Sequence, residues 1–287
     1  MFLNLLISFF FLLNVCCTTA YSQSIIKGTV IDTQTKDPIP YVNIGCVKKG
    51  IGTVSGTDGS FTIKGLTQGD VLLFSSIGYR TVSRNIGSEN NLDIKIRPEI
   101  TMLEEVTISS DKVDRAKFKI QGEKIKKRSH SMGFGGKKLG TEIGALIKIN
   151  KPYMVSKAVI PIDRIGENTS LKFRINIYDF SEGAIGSKLI DENIIVDCPE
   201  TSGSLIIDLE KYNINLNDDV VLMLELIQGE IGKDDQNIMF RAKKGGDNIY
   251  WRQTSFASYS KLSDLVKGAP TLSIGFYLEG YEYKRKR

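Results

Sequence analysis

Apolar and polar residues alternate along most of this chain at a period of two, the pattern of strands with one buried face. Ile26 to Ile31 reads as a first strand, and Asp32 to Asp37 as a polar turn closed by Pro38, Ile39 and Pro40. Tyr41 to Val47 reads as a second strand with Val42, Ile44 and Cys46 on one face. Thr53 to Ile63 reads as a hairpin about Asp58 and Gly59, residues that tolerate the positive φ of a tight turn, with Phe61 and Ile63 facing inward. Val71–Ser75, Leu92–Ile96 and Val106–Ile108 complete this block, which closes near Ser109.

Beyond residue 138 the alternation resumes. Segments such as Glu142–Ile149, Leu171–Tyr178, Val220–Leu226 and Leu272–Tyr281 are separated by turns rich in Asn, Asp and Gly. About nine strands over about 150 residues predict a second β-sandwich, jelly-roll-like. The chain is therefore expected to be all-β: one sandwich over 23–109 and another over 139–287. Between them, 110–138 holds ten basic residues, among them Lys124, Lys126, Lys127 and Arg128, against Asp111, Asp114 and Glu123. Sparse in apolar residues, it reads as a solvated basic linker.

The N-terminus breaks the pattern. Met1–Ala20 contains the apolar run LNLLISFFFLLNV, and Ala20, Tyr21 and Ser22 form a small-x-small site. This predicts a secretory leader over 1–22, cut before Gln23, and an exported mature chain without a transmembrane span. The expected place is the periplasm, the outer-membrane surface or the medium. Two of the four cysteines, Cys16 and Cys17, lie in the leader; Cys46 and Cys198 remain and read as unpaired core thiols. Of 287 residues 38 are basic and 33 acidic, a net charge of +5, too mild an excess to argue for nucleic acid.

The fragments GTVID, PIPYVNI, GTVSGTDGSFTI, VLLFSSIGYRTV and LEEVTI, in that order from Gly28 to Ile108, resemble the carboxypeptidase-regulatory-like domain. That resemblance implies a transthyretin-like β-sandwich and an exported protein of Bacteroidota. The family's turn pattern, Gly-Thr-x-Thr-Asp-x-x-Gly-x-Phe, is matched by Gly52, Thr53, Gly59 and Phe61. Ser55 and Gly56 replace its Thr and Asp, and Asp58 is the residue placed to hold the turn instead. The second half, with FRINIYDFSEG, IYWRQTS and LSIGFYLEGYEY, is similar to the C-terminal part of exported Bacteroidota proteins that carry this domain first.

No enzyme is expected. The single histidine, His130, lies in the basic stretch, so neither a catalytic zinc site nor a histidine-activated nucleophile can be assembled. In carboxypeptidases the transthyretin-like module is an accessory, so the resemblance implies no peptidase. No catalytic residue, metal ligand or cofactor is assigned. Adjacent carboxylates at Glu104–Glu105, Asp218–Asp219 and Asp234–Asp235 leave a carboxylate-based hydrolase as one alternative. Similar first domains also precede TonB-dependent barrels, which makes an accessory of a TonB-dependent nutrient-uptake system the other. The preferred expectation is a non-catalytic structural or recognition module of the envelope, binding a protein or glycan. Tyr250, Trp251 and Tyr259 are the candidate ligand contacts, as a sugar-stacking platform.

Overall fold

β1 (Ser24–Asp32) lies between β4 (Ser60–Leu66) and β7 (Asn91–Ile96), antiparallel to the first and parallel to the second. β2 (Asn43–Cys46), β3 (Ile51–Val54), β5 (Val71–Ser75) and β6 (Val82–Asn85) form an antiparallel sheet in the order β3-β2-β5-β6. The inward faces of the two sheets supply Ile26, Val30, Ile44, Phe61, Leu72, Phe74 and Ile94, all buried in one core. The computed structural model describes residues 24–99, 113–126, 130–133, 138–164, 171–199, 201–229, 238–265 and 270–285. The leader over 1–22, the strand expected at Val106–Ile108, and the pairs Glu104–Glu105 and Asp234–Asp235 lie outside the described residues.

The expected hairpin at Thr53–Ile63 is corrected by the pairing. β3 bonds to β2 and β4 bonds to β1, so the intervening turn carries the chain from one sheet to the other. Gly59 is required there: its φ is 72°, and a Cβ would lie 2.6 Å from the Val30 carbonyl oxygen. Asp58 Oδ1 accepts from Ser60 N at 3.0 Å and from Ser60 Oγ at 2.7 Å, which fixes the turn.

The second unit is a larger sandwich. Its strands are β8 (Val113–Gly122), β9 (His130–Gly133), β10 (Glu142–Ile147), β11 (Tyr153–Arg164), β12 (Lys172–Ser181), β13 (Ala184–Lys188), β14 (Ile194–Asp197) and β15 (Gly203–Asp208). They continue with β16 (Asn215–Leu216), β17 (Val220–Gln228), β18 (Met239–Lys244), β19 (Ile249–Arg252), β20 (Ser260–Lys261), β21 (Leu272–Ile274) and β22 (Tyr277–Arg285). One sheet runs β13-β12-β17-β10-β19-β20, and the facing sheet β21-β18-β11-β22-β8. The chain crosses repeatedly between them, in the manner of a jelly roll. Ile143, Ile147, Phe173, Ile175, Leu222 and Leu224 from one sheet meet Val155, Ile160, Phe240 and Leu278 from the other.

The solvated linker expected over 110–138 is also corrected. β8 pairs antiparallel with β22 from Gly122↔Tyr277 to Val113↔Arg285, β9 pairs with β18, and Ile125 is buried. β8 ends its sheet, and exposed Lys117 and Lys119 on an edge strand discourage pairing with other chains. Lysines that protect an edge have the same density in sequence as lysines that solvate a linker. His130 belongs to β9 and is exposed.

The units dock through glycines. Gly45 and Gly52 face each other across β2 and β3. A Cβ on Gly52 would lie 2.3 Å from the Ser255 carbonyl oxygen, and one on Gly45 would lie 2.8 Å from the Phe256 ring. The loop after β19 thus lies directly on bare backbone, with Phe256 at φ 64°. Thr254 Oγ1 donates to the Gly50 carbonyl at 3.1 Å, and Tyr41 Oη donates to Gln228 Oε1 at 2.9 Å. Gly52→Ala is expected to cost about 1–3 kcal/mol by overpacking, read by urea denaturation. An unchanged midpoint would show that this loop does not sit on β3.

Candidate functional site

Four charged side chains stand in one row across four strands. In register, Arg174 of β12 faces Glu225 of β17, Glu225 faces Glu142 of β10, and Glu142 faces Arg252 of β19. Odd-numbered neighbours on β12, Phe173, Ile175 and Ile177, enter the sandwich core, so alternation sends Arg174, Asn176 and Tyr178 to the outer face. That face is covered by the first unit and the loop after β19. Arg174, Glu142 and Glu225 are at most 2% exposed and Arg252 is 9% exposed.

The buried charges are bound closely. Arg174 Nη1 donates to Glu225 Oε2 at 3.1 Å and to Asn43 Oδ1 at 3.2 Å, and Nη2 donates to the Tyr41 carbonyl. Asn176 Nδ2 bridges Glu142 Oε1 at 2.6 Å and Glu225 Oε2 at 3.0 Å, which separates two like charges by a shared donor. Tyr178 Oη donates to Glu142 Oε1 at 3.1 Å and Tyr259 Oη to Glu142 Oε2 at 2.6 Å. Arg252 Nε lies 3.1 Å from Glu142 Oε2 at an angle too poor for a hydrogen bond, and its guanidinium stacks 4.8 Å from the Tyr259 ring centroid.

Burial pushes the Glu225 carboxyl up, but Arg174, Lys188, Arg252 and the Asn176 amide outweigh it and hold the group down at about 2. Burial, with Glu142 adding to it, pushes the Tyr259 phenol far above its ordinary range, so it remains a donor. Burial pulls the Lys188 ammonium down. Lys188 pairs in register with Tyr178, and a register shift between Tyr178 and Phe180 brings both Lys188 and Ile185 to the outer face.

A cavity of about 330 Å³ opens beside this row, between the two units. Asn43, Ser75, Ser76 and Ile77 line it from the first unit. Arg174, Lys188, Arg252, Tyr178, Tyr259 and Phe256 line it from the second. Glu142 and Glu225 stay behind the arginines and do not reach its wall.

Of the three residues expected as ligand contacts, the structure brings only Tyr259 to this cavity. Tyr250 and Trp251 are neighbours on β19 and take opposite faces. Tyr250 packs with Val221 and Met223 and sets its ring edge-on to Phe180 at 5.5 Å, whereas Trp251 packs against the main core. They form no common platform. Asp219 accepts from Lys148 and from Ile149 N, a strand-end contact apart from the cavity. Cys46 and Cys198 are free thiols, and burial pushes Cys198 up to about 11. Among the described residues, no group of three His, Cys, Asp or Glu side chains is placed to hold a metal ion. No helix among them is long and apolar enough to cross a membrane.

The sequence reading missed Arg174, Glu225, Glu142, Arg252 and Lys188. The available signal was a single charge inside otherwise apolar strands, as Glu225 in VVLMLELI.

A TonB-dependent receptor of Formosa agariphila is 32% identical over 89 residues, 30% of this chain. The chain spans 8% of that receptor's length. The cysteine protease and lectin-like domains of a surface-layer-associated protein of Clostridium difficile overlay 81% of this chain and 46% of theirs at 7% identity and a TM-score of 0.40. A DUF3823 family protein from Parabacteroides merdae overlays 83% and 96% at 12% identity and a TM-score of 0.21. Both scores are too low to mark a shared fold. The family model that matches covers residues 26–108, from the first buried isoleucine of β1 to a point short of β8. The first unit of this protein is a CarboxypepD_reg-like domain.

Proposed function

We propose that this protein is a non-catalytic recognition module of the cell envelope, and that the cavity between its two units holds a protein or glycan partner. The observation that supports this reading most is the composition of the cavity wall. Hydroxyl, amide, aromatic and cationic side chains from both units converge on one concave site. The same reading takes 1–22 as a leader removed during export, with mature protein beginning at Gln23, and treats 23–109 as one domain and the strands from β8 onward as the other.

A defined glycan array probed with the full mature chain tests the reading. Wild-type protein is expected to retain a subset of envelope glycans, and Ser76→Trp, which fills the cavity from the first unit, is expected to lose them. Binding unaffected by Ser76→Trp would move the site elsewhere. Against the hydrolase alternative stands the position of Glu142 and Glu225. Both accept from the Asn176 amide, yet neither lines the cavity, and Glu225 is held too acidic for a general acid. Release of new reducing ends from a bound glycan, abolished by Glu142→Gln, would reverse that judgement.

The match to a TonB-dependent receptor favours one second reading, an accessory of such an uptake system. Co-purification with a TonB-dependent receptor from cells cross-linked in growth would support it, and recovery of the chain without one would oppose it.

A further inference from the structure

Resting on the recognition reading, we infer that the cavity takes an acidic saccharide, with the carboxylate or sulfate of the sugar held by Lys188. Three cationic side chains, Arg174, Lys188 and Arg252, line the wall. Two are matched from behind: Arg174 by Glu225 and Arg252 by Glu142. Lys188 feels Glu225 and Glu142 only from a distance and makes no close ion pair. It is partly buried, and among the described residues no carboxylate lies within 4.0 Å of its Nζ. Its Nζ lies over the Tyr178 ring, 5.8 Å from the centroid. Asp179, the next residue of β12, sets its carboxylate against the backbone of Gly186 rather than within 4.0 Å of the Lys188 ammonium: a Cβ on Gly186 would lie 2.4 Å from Asp179 Oδ2.

A second observation points the same way. Arg174 Nε is buried without an acceptor, on a side chain that is 3% exposed and lines the cavity. A buried donor on a charged group is costly to leave unpaired. The wall itself therefore carries three cations and no carboxylate, and the Arg174 Nε donor lacks an acceptor. An entering carboxylate or sulfate would supply acceptors to a partly buried ammonium, and a charge-assisted hydrogen bond is stronger than a neutral one.

The rest of the wall selects the body of the ligand. Asn43, Ser75 and Ser76 offer amide and hydroxyl groups from the first unit, and Tyr259 and Phe256 offer aromatic surface from the second. A polyhydroxylated ring uses both kinds of wall, its hydroxyls against the first and its C–H face against the second. An acidic peptide side chain would use the cation and leave the amide and hydroxyl groups idle. A cavity of about 330 Å³ accommodates one pyranose unit with its anionic substituent.

The test is calorimetric titration of the full mature chain at low ionic strength with sodium glucuronate, glucose 6-sulfate, glucose and a capped acidic tripeptide. Glucuronate or glucose 6-sulfate is expected to bind at least about tenfold more tightly than glucose, and to weaken with added salt. The stronger of the two identifies the anion. Lys188→Met is expected to lose about tenfold or more of that affinity while its melting temperature is kept, because no close ion pair is broken. If Lys188→Met does not fold, Lys188→Gln replaces it in the same comparison. Equal affinity for glucuronate in wild type and the Lys188 variant overturns the inference, as does tighter binding of the tripeptide than of either acid sugar. Equal binding of glucose and glucuronate, both lost in Ser76→Trp, overturns the anionic class and leaves the recognition reading standing. No binding of any probe, with a blank glycan array, overturns both.

Discussion

Phe61→Ala is expected to destabilise the first unit by about 3–5 kcal/mol, measured by urea denaturation. Phe61 is 5% exposed and sets its ring edge-on to Phe74, with centroids 5.6 Å apart. The ring also covers Gly28, its partner across β1 and β4: a Cβ on Gly28 would lie 2.8 Å from two ring carbons. Truncation therefore opens a cavity beside a glycine whose backbone cannot collapse into it, because its other side is bonded to β7. Sites that cannot relax lie at the upper end of such losses. Ser60→Ala is the control. Ser60 is exposed, and its backbone N–H keeps its bond to Asp58, so the change is expected to stay within about 0.5 kcal/mol. Similar losses from the two variants would mean that the register of β4 is shifted by one residue, since a slip of one exchanges the faces.

The first unit was legible because its polar face meets water. Along β4 the burial alternates without exception from Ser60 to Lys64, so Phe61 and Ile63 could be placed inward from sequence alone. What could not be read was which strand bonded to which. Asp58 and Gly59 suit a turn within one sheet as well as one between sheets, and only the hydrogen bonds of β3 to β2 and β4 to β1 separate these. On β12 the same period of two misled. Arg174 and Asn176 alternate with Phe173, Ile175 and Ile177 as solvent-facing residues do, yet they are 2% exposed, because another unit lies on that face. A polar position in an alternating strand states only that it does not enter the strand's own core. The platform expected of Tyr250 and Trp251 failed for the complementary reason: adjacency in a strand guarantees opposite faces.

Glu225→Ala is expected to cost about 3–5 kcal/mol, a loss as large as that of a core aromatic, although no apolar packing is removed. The substitution leaves Arg174 buried without its carboxylate and leaves Glu142 alone against Arg252, Arg174 and Lys188. Most of the cost is the uncompensated guanidinium rather than the lost attraction, since a buried ion pair replaced whole by apolar residues is often neutral. The double variant Arg174→Leu with Glu225→Leu separates the two contributions. It is expected to recover much of the stability while losing the hydrogen bonds from Arg174 to Tyr41 and Asn43 that join the units. Faster tryptic cleavage between residues 99 and 113, with most of the urea midpoint kept, would be its signature. Acid provides an independent reading. Because Glu225 is held down at about 2 against an ordinary 4.5, its contribution is present above about pH 4.5 and is lost as pH falls toward 2. Glu225→Gln is therefore expected to flatten the decline in stability across that window. A decline of unchanged steepness, or a cost of Glu225→Ala below about 1 kcal/mol, would mean that the row of charges is wet and the two units are not locked through it.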